Sequence, residues 1–311
     1  MGKKVVLLFA GQGAQKVGMG KDLAESYPEA KALFDRANEV LGYDLTGVMF
    51  DGPMEELTRT SRCQPALYAH GLAVLEVLKA KVPSLEVQAA AGLSLGEFTA
   101  HAAAGTFDFE TGLRLVSERG TFMEEACEQT KGSMAAMIGG DESAVRELAL
   151  ESDVDVANLN APGQIVLSGS VEGIKTAVAN AKEKGIRKAV ELPVAGAYHS
   201  RLMKSAQDKL AAVLQTVSLQ MPNVPVVSNF EAEVVTNEIV IRSTLERQVT
   251  GSVRWVESMQ LLINEGYDLF LELGPGGVLA GLMGRIQKGV KVISIEDAKS
   301  LEAAVAELTA E

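Results

Sequence analysis

The sequence predicts an α/β protein, because apolar runs typical of buried strands alternate with amphipathic helical patterns. Runs that are hydrophobic throughout favour parallel strands covered on both faces of a sheet. Such runs occur at 5–10, 87–93, 224–229, 267–273 and 290–295. We therefore expect a parallel sheet, built from these segments, at the core of the protein.

The segment 132–192 has a different order of elements: strand, helix, strand, strand, helix, strand. Asn160, Ala161, Pro162 and Gly163 form the predicted hairpin turn between its two central strands. This order is typical of a ferredoxin-like unit. We predict a large unit made of 1–128 and 197–311, and a smaller inserted unit, 129–196, that forms a cleft with the main sheet.

Composition excludes several function classes. The chain has 311 residues and a formal net charge of −12, which argues against a nucleic-acid partner. It contains no apolar stretch near the roughly 20 residues needed to span a bilayer, and its start predicts a strand rather than a targeting segment. Cys63 and Cys127 are the only cysteines. We expect a cytoplasmic protein, monomeric, with no membrane partner.

A serine motif follows the second apolar run. Ser94 lies at the centre of G-x-S-x-G, between Gly92 and Gly96. A serine on a tight strand-to-helix turn exposes its hydroxyl, and the amides that open the helix face any oxyanion formed beside it. Such a serine can also be a plain helix N-cap. With the parallel sheet, the motif predicts an α/β-hydrolase-like core with Ser94 as candidate nucleophile.

The chain has 3 histidines, so few residues could serve as the base for Ser94. His199 is the best candidate, because it precedes an amphipathic helix and follows the serine in chain order. His70 and His101 fall within helical patterns and are interpreted as packing residues. No Asp or Glu near His199 is an evident partner for its imidazole. A backbone carbonyl could orient the ring instead.

Arg119 borders the apolar stripe of a predicted helix, where a guanidinium is costly without an anionic partner. One interpretation is a salt bridge to a structural carboxylate. The other is a bidentate clamp for the carboxylate of a substrate.

Several motifs together resemble one family over nearly the whole chain. They are FAGQGAQ near the start, QPALYA at 64–69, GLSLGE around Ser94, RG at 119–120, NLNAPGQIVLSG at 158–169, AYHS at 197–200, VSN at 227–229, RQVTGSVRW at 247–255 and LELGPGGVL at 271–279. The chain resembles malonyl-CoA:acyl-carrier-protein transacylases of fatty-acid synthesis. It departs from the common pattern at Leu93, where many members have His, and at Ser252, where Pro is frequent.

The resemblance implies roles for particular residues. Ser94 would be the acylated nucleophile and His199 its base. The backbone amides of Gln12 and Leu95 would form the oxyanion hole. Arg119 would bind the malonyl carboxylate. Asn160 and Gln248 would support the site, with the backbone carbonyl of Gln248 orienting the histidine.

The implied reaction is transfer of malonyl from malonyl-CoA to the phosphopantetheine thiol of acyl carrier protein, by a ping-pong mechanism that needs no metal or cofactor. A serine thioesterase or esterase, an acyltransferase of a polyketide pathway, and an inactive docking subunit are the alternatives. Carrier protein could dock on a basic cluster, although solvated surface is the ordinary interpretation of both clusters. The clusters are Lys182, Lys184, Arg187 and Lys188, and Arg285, Lys288 and Lys291.

Overall fold

The computed structural model describes residues 3–310, which form two separate sheets surrounded by helices. The strands are β1 (Lys4–Phe9), β2 (Glu86–Gly92), β3 (Gly132–Ile138), β4 (Asp155–Ala161), β5 (Gln164–Ser170), β6 (Lys188–Glu191), β7 (Leu269–Leu273) and β8 (Lys291–Ile295). The helices are α1 (Lys21–Ser26), α2 (Pro28–Leu41), α3 (Leu45–Asp51), α4 (Met54–Thr58), α5 (Thr60–Lys81), α6 (Leu95–Ala103), α7 (Phe109–Gln129), α8 (Glu142–Glu151), α9 (Val171–Asn180), α10 (Lys204–Thr216), α11 (Glu238–Arg247), α12 (Trp255–Asn264), α13 (Val278–Ile286) and α14 (Ala298–Thr309).

One sheet is parallel, with strand order β2-β1-β7-β8. Strand β1 is central, and its apolar residues from Val5 to Phe9 are at most 1% exposed. Helices cover both faces, so an uninterrupted apolar sequence is stable in this position. The mixed α/β architecture with a parallel sheet agrees with the sequence prediction.

The predicted strand at 224–229 is wrong. This run makes only isolated bridges, a parallel one from Val226 to Ala90 and an antiparallel one from Val227 to Val234. Pro225 has no amide hydrogen to donate to a ladder. The chain then turns back at once, with the amide of Ser228 donating to the carbonyl of Glu233. The segment therefore lies beside β2 without extending the sheet as a full strand.

The second sheet is antiparallel with the order β4-β5-β3-β6. Its strands and helices follow each other as the sequence predicted. The hairpin turn is shorter than predicted, because Asn160 and Ala161 belong to β4 and only Pro162 and Gly163, the latter with φ of 69°, lie between the strands. Helices α8 and α9 pack on this sheet around an apolar core of its own. Backbone hydrogen bonds join β4 of this sheet to Val253, in the segment that precedes α12.

No helix within residues 3–310 is long and apolar enough to cross a membrane.

Candidate active site

Ser94 occupies a sharp turn between β2 and α6. Its backbone has φ of 55° and ψ of −108°, a conformation that costs a non-glycine residue about 1–3 kcal/mol. The two flanking glycines make the turn possible by close packing. A Cβ on Gly92 would lie 2.0 Å from the backbone of Gly96, and a Cβ on Gly96 would lie 2.1 Å from the carbonyl oxygen of Phe9. The G-x-S-x-G spacing therefore reflects a steric requirement of this strand-to-helix turn.

His199 contacts the serine directly. Its Nε2 lies 2.8 Å from Ser94 Oγ, and its Nδ1 lies 2.8 Å from the backbone carbonyl oxygen of Gln248. A carbonyl can only accept, so Nδ1 carries the hydrogen and Nε2 is left to accept the serine proton. This arrangement has the geometry of a nucleophile and its base, with a carbonyl orienting the ring.

Burial keeps His199 uncharged. Its side chain is 3% exposed, and burial followed by the nearby charge of Arg119 lowers its pKa to about 4. The hydrogen bond to Gln248 opposes this shift but does not cancel it. Near pH 7 the imidazole is therefore neutral and able to accept a proton.

Arg119 projects from α7 into the same site and is 1% exposed. Its Nη1 donates to Gln64 Oε1 at 2.8 Å, and its Nη2 donates to Gln248 Oε1 at 2.8 Å and to Ser94 Oγ at 3.0 Å. Helix α7 reaches this depth because Gly120 packs against α5, where a Cβ would lie 2.5 Å from the carbonyl oxygen of Thr60.

The structural salt bridge considered for Arg119 is absent from the described part of the chain: no carboxylate lies within 4.0 Å of its guanidinium. Burial lowers the Arg119 pKa to about 10, which leaves it cationic near pH 7. Its Nε is buried and has no hydrogen-bond partner among residues 3–310. A buried cation with an unused donor fits an anionic group that arrives from outside.

The sequence did not single out three residues that complete the site: Gln64, Glu97 and Asn229. Asn229 accepts a hydrogen bond from the Ser94 amide at 2.6 Å and donates one to the Gly92 carbonyl at 2.7 Å, so it fastens the turn on both sides of the serine. Each of the three lies within a motif quoted above, QPALYA, GLSLGE or VSN. Those motifs were the only available signal.

The amides predicted for an oxyanion hole open two adjacent turns. Leu95 is the first residue of α6, and Gln12 lies in the turn that follows β1. Within residues 3–310, neither amide donates a hydrogen bond. Tyr198 and Thr60 bind each other beside this turn, with their hydroxyl oxygens 2.7 Å apart, and Gln12 Nε2 donates to Thr60 Oγ1 at 3.4 Å.

The structure does not bring every predicted residue into this network. Asn160 lies near the C-terminal end of β4, and its buried Oδ1 has no hydrogen-bond partner among the described residues. No hydrogen bond within residues 3–310 links its side chain to Ser94 or His199. His101 is fully buried and binds Thr106, as expected of a packing residue. His70 is also fully buried.

A cavity of about 1130 Å³ lies elsewhere, between α2, α5 and the loop that precedes α7. Its lining includes Leu33, Leu72 and Phe107, and none of the residues predicted for the site. Across residues 3–310, no cluster of three or more His, Cys, Asp or Glu side chains could hold a metal ion.

Comparison with known proteins assigns the family. The family model described as "Acyl transferase domain" matches residues 6–305. The chain belongs to this acyl transferase family. A relative in Bacillus subtilis (strain 168), named malonyl CoA-acyl carrier protein transacylase, is 42% identical over 313 residues, covering 99% of this chain and 98% of its own.

Solved structures of other members have the same fold. An acyl-carrier-protein-S-malonyltransferase from Bartonella henselae is 38% identical, with a TM-score of 0.93 over 100% of both chains. A malonyl-transacylase solved in complex with its type II polyketide synthase acyl-carrier protein is also 38% identical, with a TM-score of 0.93 over 98% of this chain and 100% of its own. The acyl transferase assignment makes this chain an enzyme.

Proposed function

We propose that this acyltransferase moves a malonyl group from malonyl-CoA to the phosphopantetheine thiol of acyl carrier protein, for fatty-acid synthesis. The observation that carries the proposal is the position of a buried, cationic Arg119 only 3.0 Å from the Ser94 hydroxyl. A cation beside the nucleophile selects an acyl group that has its own carboxylate. The names of the relatives, which are malonyl transacylases, support the same substrate.

The first half-reaction begins at the serine. Ser94 Oγ attacks the thioester carbonyl while His199 Nε2 accepts its proton. The Nδ1–H bond to the Gln248 carbonyl holds the ring in the required tautomer and stabilises the imidazolium. The tetrahedral intermediate then collapses, CoA leaves with the proton from Nε2, and malonyl-Ser94 remains.

The free amides of Gln12 and Leu95 are suited to bind the oxyanion of that intermediate. They are hydrogen-bond donors without other partners in the described chain, and the one at Leu95 lies at the positive end of α6. Loss of one oxyanion-hole donor typically costs a factor of about 10²–10³ in rate. In this proposal the backbone turns hold both amides in position before substrate binds, so the oxyanion hole does not depend on mobile side chains.

Arg119 binds the malonyl carboxylate. Its free Nε supplies one donor. Its Nη2 supplies a second after acylation, because the ester oxygen of Ser94 is a weaker acceptor than the hydroxyl that Nη2 contacts in the free enzyme. Gln64 and Gln248 hold the guanidinium in place through the hydrogen bonds described above. An ordinary esterase would gain nothing from a buried cation here.

The second half-reaction repeats these steps with the carrier-protein thiol as the attacking group. His199 takes the thiol proton, and the same oxyanion hole serves both half-reactions. Transfer competes with hydrolysis, so the enclosed site must position the thiol better than water. Asn160 keeps only a supporting role in the proposal, by shaping the end of β4 rather than by contacting the histidine.

Carrier protein docks on the basic cluster at the C-terminal end of α13 in this proposal. Arg285 and Lys288 are exposed and form no ion pair within residues 3–310, so their charge is available to an acidic partner. Lys184 is bound to Glu147 and Glu151, which weakens the case for the other cluster, although its neighbours Lys182, Arg187 and Lys188 remain exposed. The complex known for a relative supports a direct contact with carrier protein.

The finer classification of the molecule is also a proposal. We infer an α/β-hydrolase-like large unit, 1–128 and 197–311, and a ferredoxin-like small unit, 129–196; the order β4-β5-β3-β6 supports the second. We also infer a cytoplasmic monomer that uses no cofactor. The two cysteines are unpaired, which suits a reducing compartment.

Intact-protein mass after incubation with malonyl-CoA, followed by peptide mapping, tests the mechanism. We expect one malonyl adduct, on the peptide that contains Ser94, which CoA or carrier protein removes quickly and water removes slowly. Ser94→Ala should abolish the adduct, whereas the matched variant Ser218→Ala, at an exposed serine, should keep it. Rapid release of free malonate without acceptor would favour a thioesterase, and an adduct on Ser94→Ala would refute the nucleophile assignment.

A further inference from the structure

Glu97 is a buried carboxylate that the mechanism above does not use. It lies in the first turn of α6 and is 0% exposed. Its Oε2 accepts hydrogen bonds from Gln248 Nε2 at 2.6 Å and from the backbone amide of Asn229 at 3.0 Å. Its Oε1 is buried and has no partner among residues 3–310. A carboxylate with one unsatisfied oxygen is costly to bury in its charged form.

Gln248 connects Glu97 to Arg119. The Gln248 amide nitrogen donates to Glu97 and to the Ser94 carbonyl, and its Oε1 accepts from Arg119. Every polar atom of this side chain is used, so the amide can have only one orientation. Glu97 is therefore one side chain away from the guanidinium, and its negative charge favours the cationic form of Arg119.

A substrate carboxylate changes this balance. When it binds Arg119, the buried site holds one cation and two anions. Like charges in a medium of low dielectric cannot both remain ionised without a large cost. The substrate carboxylate gains direct contact with Arg119, whereas Glu97 has only the contact through Gln248 and an unsatisfied oxygen, so Glu97 is the group that is neutralised.

We propose that Glu97 is the resident counter-ion of Arg119 and that it takes up a proton from solvent when an acyl carboxylate binds. The inference rests on the proposed function, in which Arg119 binds that carboxylate. The proton adds to the free Oε1, and no other bond forms or breaks.

The surroundings of Glu97 favour this response. Burial raises its pKa to about 7, and the hydrogen bonds from Gln248 and Asn229 and the charge of Arg119 oppose that shift. Of the other groups near α6, His199 is neutral, and β1 and β2 carry charge only at Lys4 and Glu86, at the strand ends far from α6. On α7, the two charged residues that most closely precede Arg119 along the chain, Arg114 and Glu118, are exposed. The titratable side chains buried on α5 and further along α6 are Cys63, Tyr68, His70 and His101, which are neutral as well.

Calorimetry on Ser94→Ala measures the proton directly, because this variant binds acyl-CoA without reacting. Malonyl-CoA and acetyl-CoA are titrated at pH 7 in two buffers with different ionisation enthalpies. The two ligands share the CoA group, so their difference reports the carboxylate alone. We expect the protein to take up about half a proton more when malonyl-CoA binds than when acetyl-CoA binds, since Glu97 with a pKa of about 7 is half ionised at this pH.

The pH dependence of affinity gives a second measurement. The preference for malonyl-CoA over acetyl-CoA should fall about tenfold between pH 6 and pH 8 in Ser94→Ala. In the double variant Ser94→Ala, Glu97→Gln it should stay flat at the higher level, because the amide keeps the hydrogen bond from Gln248 but cannot ionise. The calorimetry on Ser94→Ala decides the matter even if the double variant does not fold.

The outcomes separate the two proposals. A clear malonyl preference with equal proton uptake for both ligands would overturn the role of Glu97 and leave the proposed function intact. Equal affinities for both ligands at every pH would overturn the selective role of Arg119, and the inference about Glu97 with it. Excess uptake that persists in the double variant would assign the proton to another group.

Discussion

Replacing Arg119 with Ala removes the cation that the proposal assigns to the malonyl carboxylate. The guanidinium offers that group Nε, which has no present partner, and Nη2, which contacts Ser94 Oγ. Hydrogen bonds between charged groups contribute about 1.5–3 kcal/mol each. Losing even one of these bonds should therefore lower malonyl kcat/KM by roughly 10- to 150-fold, and losing both should lower it further.

The same substitution also has a structural consequence that the assay must separate. Without Arg119, the Oε1 atoms of Gln64 and Gln248 lose their donor, which costs about 1–3 kcal/mol for each buried acceptor that stays unsatisfied. Removal of a buried charge offsets part of that cost. Acetyl transfer by the same variant controls for the disturbance, because the acetyl group has no carboxylate to bind.

Malonyl and acetyl transfer are therefore measured side by side for wild type, Arg119→Ala, Arg119→Lys and Arg114→Ala. Arg114 lies on the same helix but is exposed, so its variant should match wild type. Arg119→Lys keeps the charge but loses the planar donor pair, and it should fall between wild type and Arg119→Ala. Equal losses for malonyl and acetyl transfer would show that Arg119 acts only on the structure of the site.

Three further predictions concern stability and docking. Gly96→Ala should unfold or severely destabilise the protein in thermal denaturation, since its Cβ would lie 2.1 Å from a β1 carbonyl oxygen. Gly281→Ala on α13, where nothing lies within 4 Å, should be neutral or stabilising by up to about 1 kcal/mol. Similar melting temperatures for the two variants would contradict the steric argument. The 3 histidines are buried with pKa values lowered to about 4, 3 and 4, so the unfolded chain takes up protons before the folded protein does as pH falls below 6.5. About 2 kcal/mol of folding free energy per histidine should be lost by pH 5. His101→Leu should reduce this loss between pH 7 and pH 5, and an unchanged loss would exclude that histidine as a contributor. Reversing Arg285 and Lys288 to Glu should raise the carrier-protein KM in a salt-dependent way while malonyl-CoA loading is unchanged, and an unaltered KM would place docking elsewhere.

Uninterrupted apolar runs predicted the strands of the parallel sheet, because such runs are typical of strands covered on both faces. Four such runs became β1, β2, β7 and β8. The run 224–229 is also apolar over its first four residues but did not become a strand of the sheet. Its outcome depends on Pro225 and on the immediate turn toward Val234, which are local features that hydrophobicity does not measure.

Within the site, the sequence singled out residues whose type is unusual for their position. Ser94 lies between two glycines, His199 is one of few histidines, and Arg119 borders an apolar stripe. The structure brings these three side chains together. Glu97 gave no comparable signal, because a glutamate in the first turn of a helix is ordinarily an exposed residue that favours the helix dipole. Only tertiary packing buries it.

The orienting acceptor for His199 determines the charge balance of the whole site. A carboxylate in place of the Gln248 carbonyl would raise the His199 pKa and add a second anion near Arg119. The carbonyl fixes the tautomer without adding charge, so the histidine stays a neutral base and Arg119 remains attractive to an acyl carboxylate. Glu97 lies behind Gln248, where, as we infer, it balances Arg119 in the free enzyme without occupying the guanidinium donors. In the proposed function, selectivity for a charged acyl group therefore depends on keeping carboxylates out of direct contact with both His199 and Arg119.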